Sequence, residues 1–297
     1  MIITVTLNPA FDKTIYVQGF KPGRLNRVEK VVVTPGGKGL NVSQWLKKQG
    51  ENSVAIGVFG GTTGMAIVNE LGEKGITTEP VYTTGDTRTN TKIISGGELT
   101  EINEPGPVVS DACEERLFEV VRKYAEPGNI FVFAGSVPKS MDNDIYYRLI
   151  TLVKEAGAFA ILDADGDAFK EGMKAVPHVI KPNLQELFAF IDRDFGGTIP
   201  EDYKSYVVSY AQEIIELGVK QAMVSLGEDG AYFTDGFNNM FMEAEISNDD
   251  VKSSVGAGDS MVAALAIGLE KQLDFDSVAS LAMEMAADAC RMEGTVE

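Results

Sequence analysis

Apolar positions along the chain recur with two periods, and the two alternate. Ile2 to Leu7, Val54 to Phe59, Ile130 to Ala134, Phe159 to Leu162 and Met223 to Leu226 are short β-rich runs. Between them come stretches with helical spacing. Leu40, Val42, Trp45 and Leu46 stop at Gly50; Met65, Ile67, Val68 and Leu71 stop at Gly75. Ile145, Leu149, Leu152 and Val153 mark a third helix, Leu184 to Phe190 a helix start, and Tyr206 to Leu217 and Ala257 to Leu269 two more. Strands alternating with helices predict an α/β fold, a mostly parallel sheet with helices on both faces, with ligands at the carboxyl ends of the strands.

Some pieces break the alternation. Thr14 to Val17 and Val28 to Val33 are strands separated only by a turn-rich segment. Lys92 to Ser95 and Leu99 to Ile102 read as a hairpin around Gly96-Gly97. Two insertions, at about 12–34 and 86–106, therefore predict a small second sheet, read as a lid on one domain spanning 1–297. Tyr232 to Phe233 and Met240 to Met242 form a further hairpin. No internal repeat or low-complexity tract is present.

Charge narrows the chemistry. The net charge is −18, which argues against nucleic-acid binding, because a phosphate backbone needs a positive surface. A small anionic substrate stays open, since a few cations and backbone N–H groups suffice to hold one phosphate. Cys113 and Cys290 are too far apart in sequence for a CxxC site, and they suit a reducing cytoplasm. The single histidine, His178, sits in an apolar stretch and reads as structural; one histidine excludes a multi-histidine zinc site. The sequence has no apolar run of about 18 residues to span a membrane. Its N-terminus reads as a strand and not as a signal peptide.

The P-loop, dinucleotide and nucleophile-elbow signatures are absent. Three glycine-rich or capped helix starts carry chemistry instead. In Val255-Gly256-Ala257-Gly258-Asp259-Ser260, small residues let N–H groups converge on an anion at a helix N-terminus, and Asp259 can serve as general base. An ordinary N-cap at Asp259 is the other reading. Pro35-Gly36-Gly37-Lys38-Gly39-Leu40-Asn41 admits a ligand close to the backbone with a lysine nearby, or is a plain glycine turn. In Lys181-Pro182-Asn183-Leu184-Gln185-Glu186, Asn183 and Glu186 share one helix face. They either orient hydrated Mg²⁺ or close a capping box.

These motifs lie in order with Asn8-Pro9-Ala10-Phe11-Asp12, Arg88-Thr89-Asn90-x-Lys92 and Gly135-Ser136-x-Pro138. Together they resemble the ribokinase-like carbohydrate kinases, in their PfkB branch, over essentially the whole chain. The resemblance implies a three-layer α/β/α ribokinase-like fold with a β-sheet lid, and ATP and Mg²⁺ as cofactors. K⁺ stays open, because Ser253 stands where many relatives have an aspartate. Pro138 is followed by Lys139-Ser140, where the family pattern ends in glycine.

The resemblance also implies roles. Asp259 would be the base, with Gly256, Ala257 and Gly258 as the anion hole. Asp12, Gly37, Gly39 and Asn41 would hold sugar hydroxyls, and Lys38, Arg88, Asn90 and Ser136 the substrate phosphate. Lys181, Ser225, Gly227, Gly230 and Gly258 would line the ATP side. The implied substrate is a phosphorylated ketose, fructose 1-phosphate first, with tagatose 6-phosphate and fructose 6-phosphate as alternatives. Unphosphorylated sugars, nucleosides or a non-catalytic sensor role fit less well, because neutral substrates need no paired cations and Asp259 is present. A homodimer joined through the lids is expected, with no membrane or nucleic-acid partner.

Overall fold

In the computed structural model, residues 1–191, 199–244, 246–247, 250–292 and 296 are described. The first strands are β1 (Ile2–Thr6), β2 (Ala10–Val17) and β3 (Val28–Gly36), followed by helix α1 (Lys38–Lys48). Next come β4 (Ser53–Gly60), α2 (Gly61–Glu73), β5 (Thr77–Thr83), β6 (Arg88–Ser95) and β7 (Glu98–Ile102). The middle of the chain contributes α3 (Asp111–Tyr124), β8 (Ile130–Ala134), α4 (Ile145–Glu155), β9 (Phe159–Asp163), α5 (Gly166–Met173) and β10 (Val179–Ile180). The remainder is α6 (Leu184–Phe190), α7 (Tyr203–Glu216), β11 (Gln221–Ser225), β12 (Ala231–Thr234), β13 (Asn239–Met242), α8 (Ala257–Lys271) and α9 (Phe275–Cys290).

Nine strands form the central sheet in the order β13-β12-β11-β10-β9-β8-β1-β4-β5. Among the described residues, only the β11–β12 and β12–β13 pairs of this sheet are antiparallel. Side chains alternate across it, as the period of two requires. Ile3 and Val5 of β1 pack with α3 to α7 on one face; Ile2 packs with Trp45 of α1 and with α8 and α9 on the other. Both faces are therefore covered, which is why the parallel strands read as unbroken apolar runs. Among the described residues no helix is long and apolar enough to cross a membrane.

The predicted second sheet is present, in the order β3-β2-β6-β7. Its register sorts the residues by face. Asp12 lies opposite Asn90, and Lys92 opposite Glu101; this polar face meets the cavity described below. Ile15 lies opposite both Val31 and Ile93 on the other face, which also carries Val33 and Ile102. Val31 and Ile102 are half exposed there.

Five elements are additions to the sequence reading: β5, α3, α5, β10 and α9. The last matters most. Its sequence, FDSVASLAMEMAADAC, is dominated by alanine and other small residues, so the apolar stripe that marks other helices is faint. It is a helix because it packs on α8, with Gly268 giving the approach: a Cβ there would lie 2.4 Å from Val278.

Candidate active site

Two cavities adjoin at the carboxyl ends of the strands. The first, about 610 Å³, is polar and lies between the central sheet and the small one. The second, about 780 Å³, is lined largely by apolar groups of α8 and α9 and by the β11–β12 turn. The start of α8 separates them: Gly258 lines both.

At that helix start Gly256 takes φ 88°, a left-handed conformation open to glycine at little cost, and so turns the chain into α8. The first-turn N–H groups of a helix have no intrahelical acceptor, and here they stand beside the polar cavity. Asp259 is 7% exposed. Its Oδ2 accepts from Asn41 Nδ2 at 2.7 Å. Burial, together with the neighbouring Asp163 carboxylate, pushes its pKa up to about 6; the Asn41 hydrogen bond and the charges of Lys38 and Lys181 pull the other way. That value suits a group that takes a proton near neutral pH.

Arg88 anchors the opposite end. Its guanidinium donates to the Asn8 carbonyl at 3.0 Å, the Ser136 hydroxyl at 3.3 Å and the Glu104 carbonyl at 3.1 Å. None of these acceptors is a carboxylate, so its charge is not neutralised at contact. Asn90 and Lys92 instead meet Asp12, at 3.1 and 3.0 Å. Buried polar atoms without partners, Asn8 Oδ1, Asn90 Oδ1 and Thr6 Oγ1, belong to residues lining this cavity. Buried polar groups are ordinarily satisfied, so these atoms can bond a ligand in the cavity.

Most residues singled out from sequence come together here. Asp12, Gly37, Lys38, Asn41, Arg88, Asn90, Ser136, Lys181, Gly256, Gly258 and Asp259 line the polar cavity, and Ala257, Gly227 and Gly230 the apolar one; Asn183 and Ser225 line both. Gly39 is the exception, because it lines neither cavity. A Cβ there would meet Thr6 Oγ1 at 2.4 Å and the Val5 carbonyl at 3.1 Å, so its missing side chain lets α1 approach β1. Lys38 departs from its expected neighbours as well. Its ammonium bonds Asp163 at 3.1 Å and faces Glu186 at 3.8 Å, and it does not join the Arg88 group. Burial opposes its charge, but the Asp163, Glu186 and Asp259 carboxylates outweigh that and raise its pKa.

The capping box also forms. Asn183 Oδ1 accepts from the Glu186 N–H, and Glu186 Oε2 from the Asn183 N–H, both at 2.8 Å. Glu186 Oε1 remains on the cavity side. Among the described residues no cluster of three metal-ligating side chains occurs. With one carboxylate oxygen of Glu186 on the cavity side, the donors suit a largely hydrated Mg²⁺ better than one caged by protein ligands.

The sequence reading missed Asp163, which is 1% exposed at the end of β9. Its signal was an acidic residue in Leu162-Asp163-Ala164-Asp165, at the carboxyl end of a parallel strand. It also missed Met283, Ala286 and Ala287, which wall the apolar cavity from α9. His178 is structural, its Nδ1 accepting from the Ala160 N–H at 3.1 Å.

The chain is similar to known carbohydrate kinases along most of its length. The family described as pfkB family carbohydrate kinase matches residues 5–297. A 1-phosphofructokinase of Bacillus subtilis is 38% identical over 277 residues, covering 93% of this chain and 88% of the relative. The crystal structure of phosphofructokinase-2 from Escherichia coli in complex with potassium superposes with a TM-score of 0.90 at 29% identity, covering 99% of this chain and 94% of the other. The same enzyme in complex with fructose-6-phosphate gives 0.89 at 29% identity, covering 97% and 93%.

Proposed function

The chain belongs to the pfkB family of carbohydrate kinases, and from that premise we propose that it transfers the γ-phosphoryl group of ATP to fructose 1-phosphate, giving fructose 1,6-bisphosphate. As a member it is an ATP-dependent carbohydrate kinase, a phosphotransferase with an alcohol acceptor. The observation that carries a phosphorylated substrate is Arg88, a cation in the polar cavity held by two carbonyls and a hydroxyl; the likeness to a 1-phosphofructokinase puts fructose 1-phosphate first. An uncharged sugar gives such a group nothing to neutralise, whereas a sugar phosphate does.

The sugar lies in the polar cavity with its phosphate toward Arg88, Asn90 and Ser136. Asp12, Gly37 and Asn41 hold its hydroxyls. Asp259 takes the proton of the acceptor hydroxyl as that oxygen attacks the γ-phosphorus, and ADP departs. The N–H groups at the start of α8 hold charge on the transferring group. The nucleotide lies along the apolar cavity, past Lys181, Ser225, Gly227 and Gly230. Glu186 and Asn183 would hold the Mg²⁺ that comes with ATP, and the ion would supply positive charge against the phosphates. Phosphoryl transfer is mostly positioning and electrostatics, so these parts suffice.

The small sheet closes over the sugar as a lid. Its outer face, with Val31, Val33 and Ile102, is too apolar to stand in water alone. A second copy covers it, giving a homodimer joined through the lids.

Fructose 6-phosphate is the second reading, supported by likeness to phosphofructokinase-2. Coupled assays with fructose 1-phosphate, fructose 6-phosphate, tagatose 6-phosphate and fructose decide between them. The expected order puts fructose 1-phosphate first in kcat/KM, by at least tenfold. A preference for either 6-phosphate overturns the substrate assignment, and turnover of fructose alone overturns the role of Arg88.

A further inference from the structure

We infer that Asp163 is a positioning residue, one of whose two buried carboxylate oxygens holds the ammonium groups of Lys38 and Lys181 together where the γ-phosphoryl group of ATP is transferred. This rests on the reading that transfer takes place beside Asp259.

Asp163 Oδ1 lies 3.1 Å from Lys38 Nζ and 3.7 Å from Lys181 Nζ. The two lysines reach it from separate elements, the start of α1 and the segment just after β10. Asp163 itself is fixed at the end of β9, where its carbonyl accepts from the Gly135 N–H at 2.9 Å. Lys181 is 4% exposed, and a Cβ on Gly258 would stand 3.3 Å from its Nζ. Its ammonium therefore rests against the helix start assigned to the transferring group.

Two cations sharing one oxygen, Lys181 buried and Lys38 partly exposed, would repel each other if that oxygen lost its charge. Lys38 has a second carboxylate, Glu186, at 3.8 Å. For Lys181, Asp163 is the only carboxylate within ion-pair distance among the described residues. Without Asp163, Lys181 would be a buried charge with no counter-ion, an arrangement that proteins avoid by moving the group. The pair forms a narrow target. On this assignment the last phosphoryl group of a triphosphate would meet both lysines, and a diphosphate would lack that contact. Asp163 thus acts on the γ-phosphoryl group through the lysines without touching it.

The test is nucleotide binding by calorimetry with Mg²⁺ present, comparing ADP with the β,γ-imido analogue of ATP. Asp163→Asn should weaken the analogue at least about tenfold, the loss expected for a charge-assisted contact, and change ADP by less than threefold. Lys38→Met should weaken the analogue too, and Asp163→Asn/Lys38→Met should be no more than twofold weaker than the worse single variant. Asp163→Glu keeps the charge but displaces the oxygen, and should show the same contrast between ADP and analogue. It carries the test if thermal melting shows that Asp163→Asn does not fold. Equal losses for both ligands, or an unchanged analogue affinity, overturn the proposal. No sugar is present, so a wild-type enzyme inactive on every sugar phosphate would refute the proposed function while this comparison still decides the role of Asp163.

Discussion

Asn41 donates to Asp259 across 2.7 Å, joining the first turn of α1 to the first turn of α8 over 218 positions of sequence. Both side chains are buried, and the bond favours the ionised carboxylate. Asn41 thereby orients the Asp259 carboxylate and keeps its pKa from rising further.

Asp259→Asn keeps the shape but cannot take a proton. Turnover should fall by about 10²–10⁴, the contribution of a positioned general base. Stability should move the other way. A carboxyl whose folded pKa lies above its unfolded value destabilises the fold as pH rises from about 3.8 through about 6. The variant should therefore melt higher than wild type at about pH 8, by a stability on the order of 1–3 kcal/mol. The gain should vanish below about pH 4, and melting curves at both values check it.

As the proposed base, Asp259 must be ionised to work, so kcat should decline below pH about 6. Asn41→Leu removes a bond to the charged form, which raises the Asp259 pKa. The acid limb of the pH–rate profile should move to higher pH, by up to about one unit. An unmoved limb would show that Asn41 only packs.

Arg88→Ala should raise KM for the sugar phosphate roughly tenfold to a hundredfold, following a loss of about 1.5–3 kcal/mol. KM for ATP should stay within about threefold. Arg88→Lys should recover little, because one ammonium cannot serve the Asn8, Ser136 and Glu104 contacts together with a phosphate. Steady-state kinetics with each substrate varied in turn separates these outcomes.

Gly39→Ala tests the packing role assigned above. The added methyl would clash with Thr6 and the Val5 carbonyl, costing on the order of 1–3 kcal/mol. Denaturant unfolding should show that loss, with both KM values within about twofold. A raised sugar KM in a protein of normal stability would return Gly39 to the sugar site.

Light scattering at micromolar concentration should give twice the mass of the chain. Val31→Asp, on the half-exposed apolar face of the small sheet, should yield a monomer. A wild-type monomer with full activity would refute the lid-to-lid dimer.

The sequence by itself determined the alternating strands and helices, the extra sheet and the helix starts at Gly37, Asn183 and Gly256. These are local patterns: a period of two or 3.6, a glycine before an apolar helix, an acceptor and an acid three apart. Tertiary structure decided the rest. The capping box at Asn183 was legible, but the sequence could not say that Glu186 would keep one oxygen toward Lys38. That depends on the starts of α1 and α6 meeting at the carboxyl ends of the strands. Gly39 looked like Gly37, and only the depth at which α1 sits on β1 tells packing from ligand contact. Helix α9 was faint because alanine packs well in a helix yet barely marks an apolar face. Asp163 was one acid among many, until the ends of β9 and β10 and the start of α1 converged around it. Spacing along a chain reports neighbours within one element; the meeting of Asn41 with Asp259, or of two lysines on one oxygen, is fixed by the order of strands in the sheet.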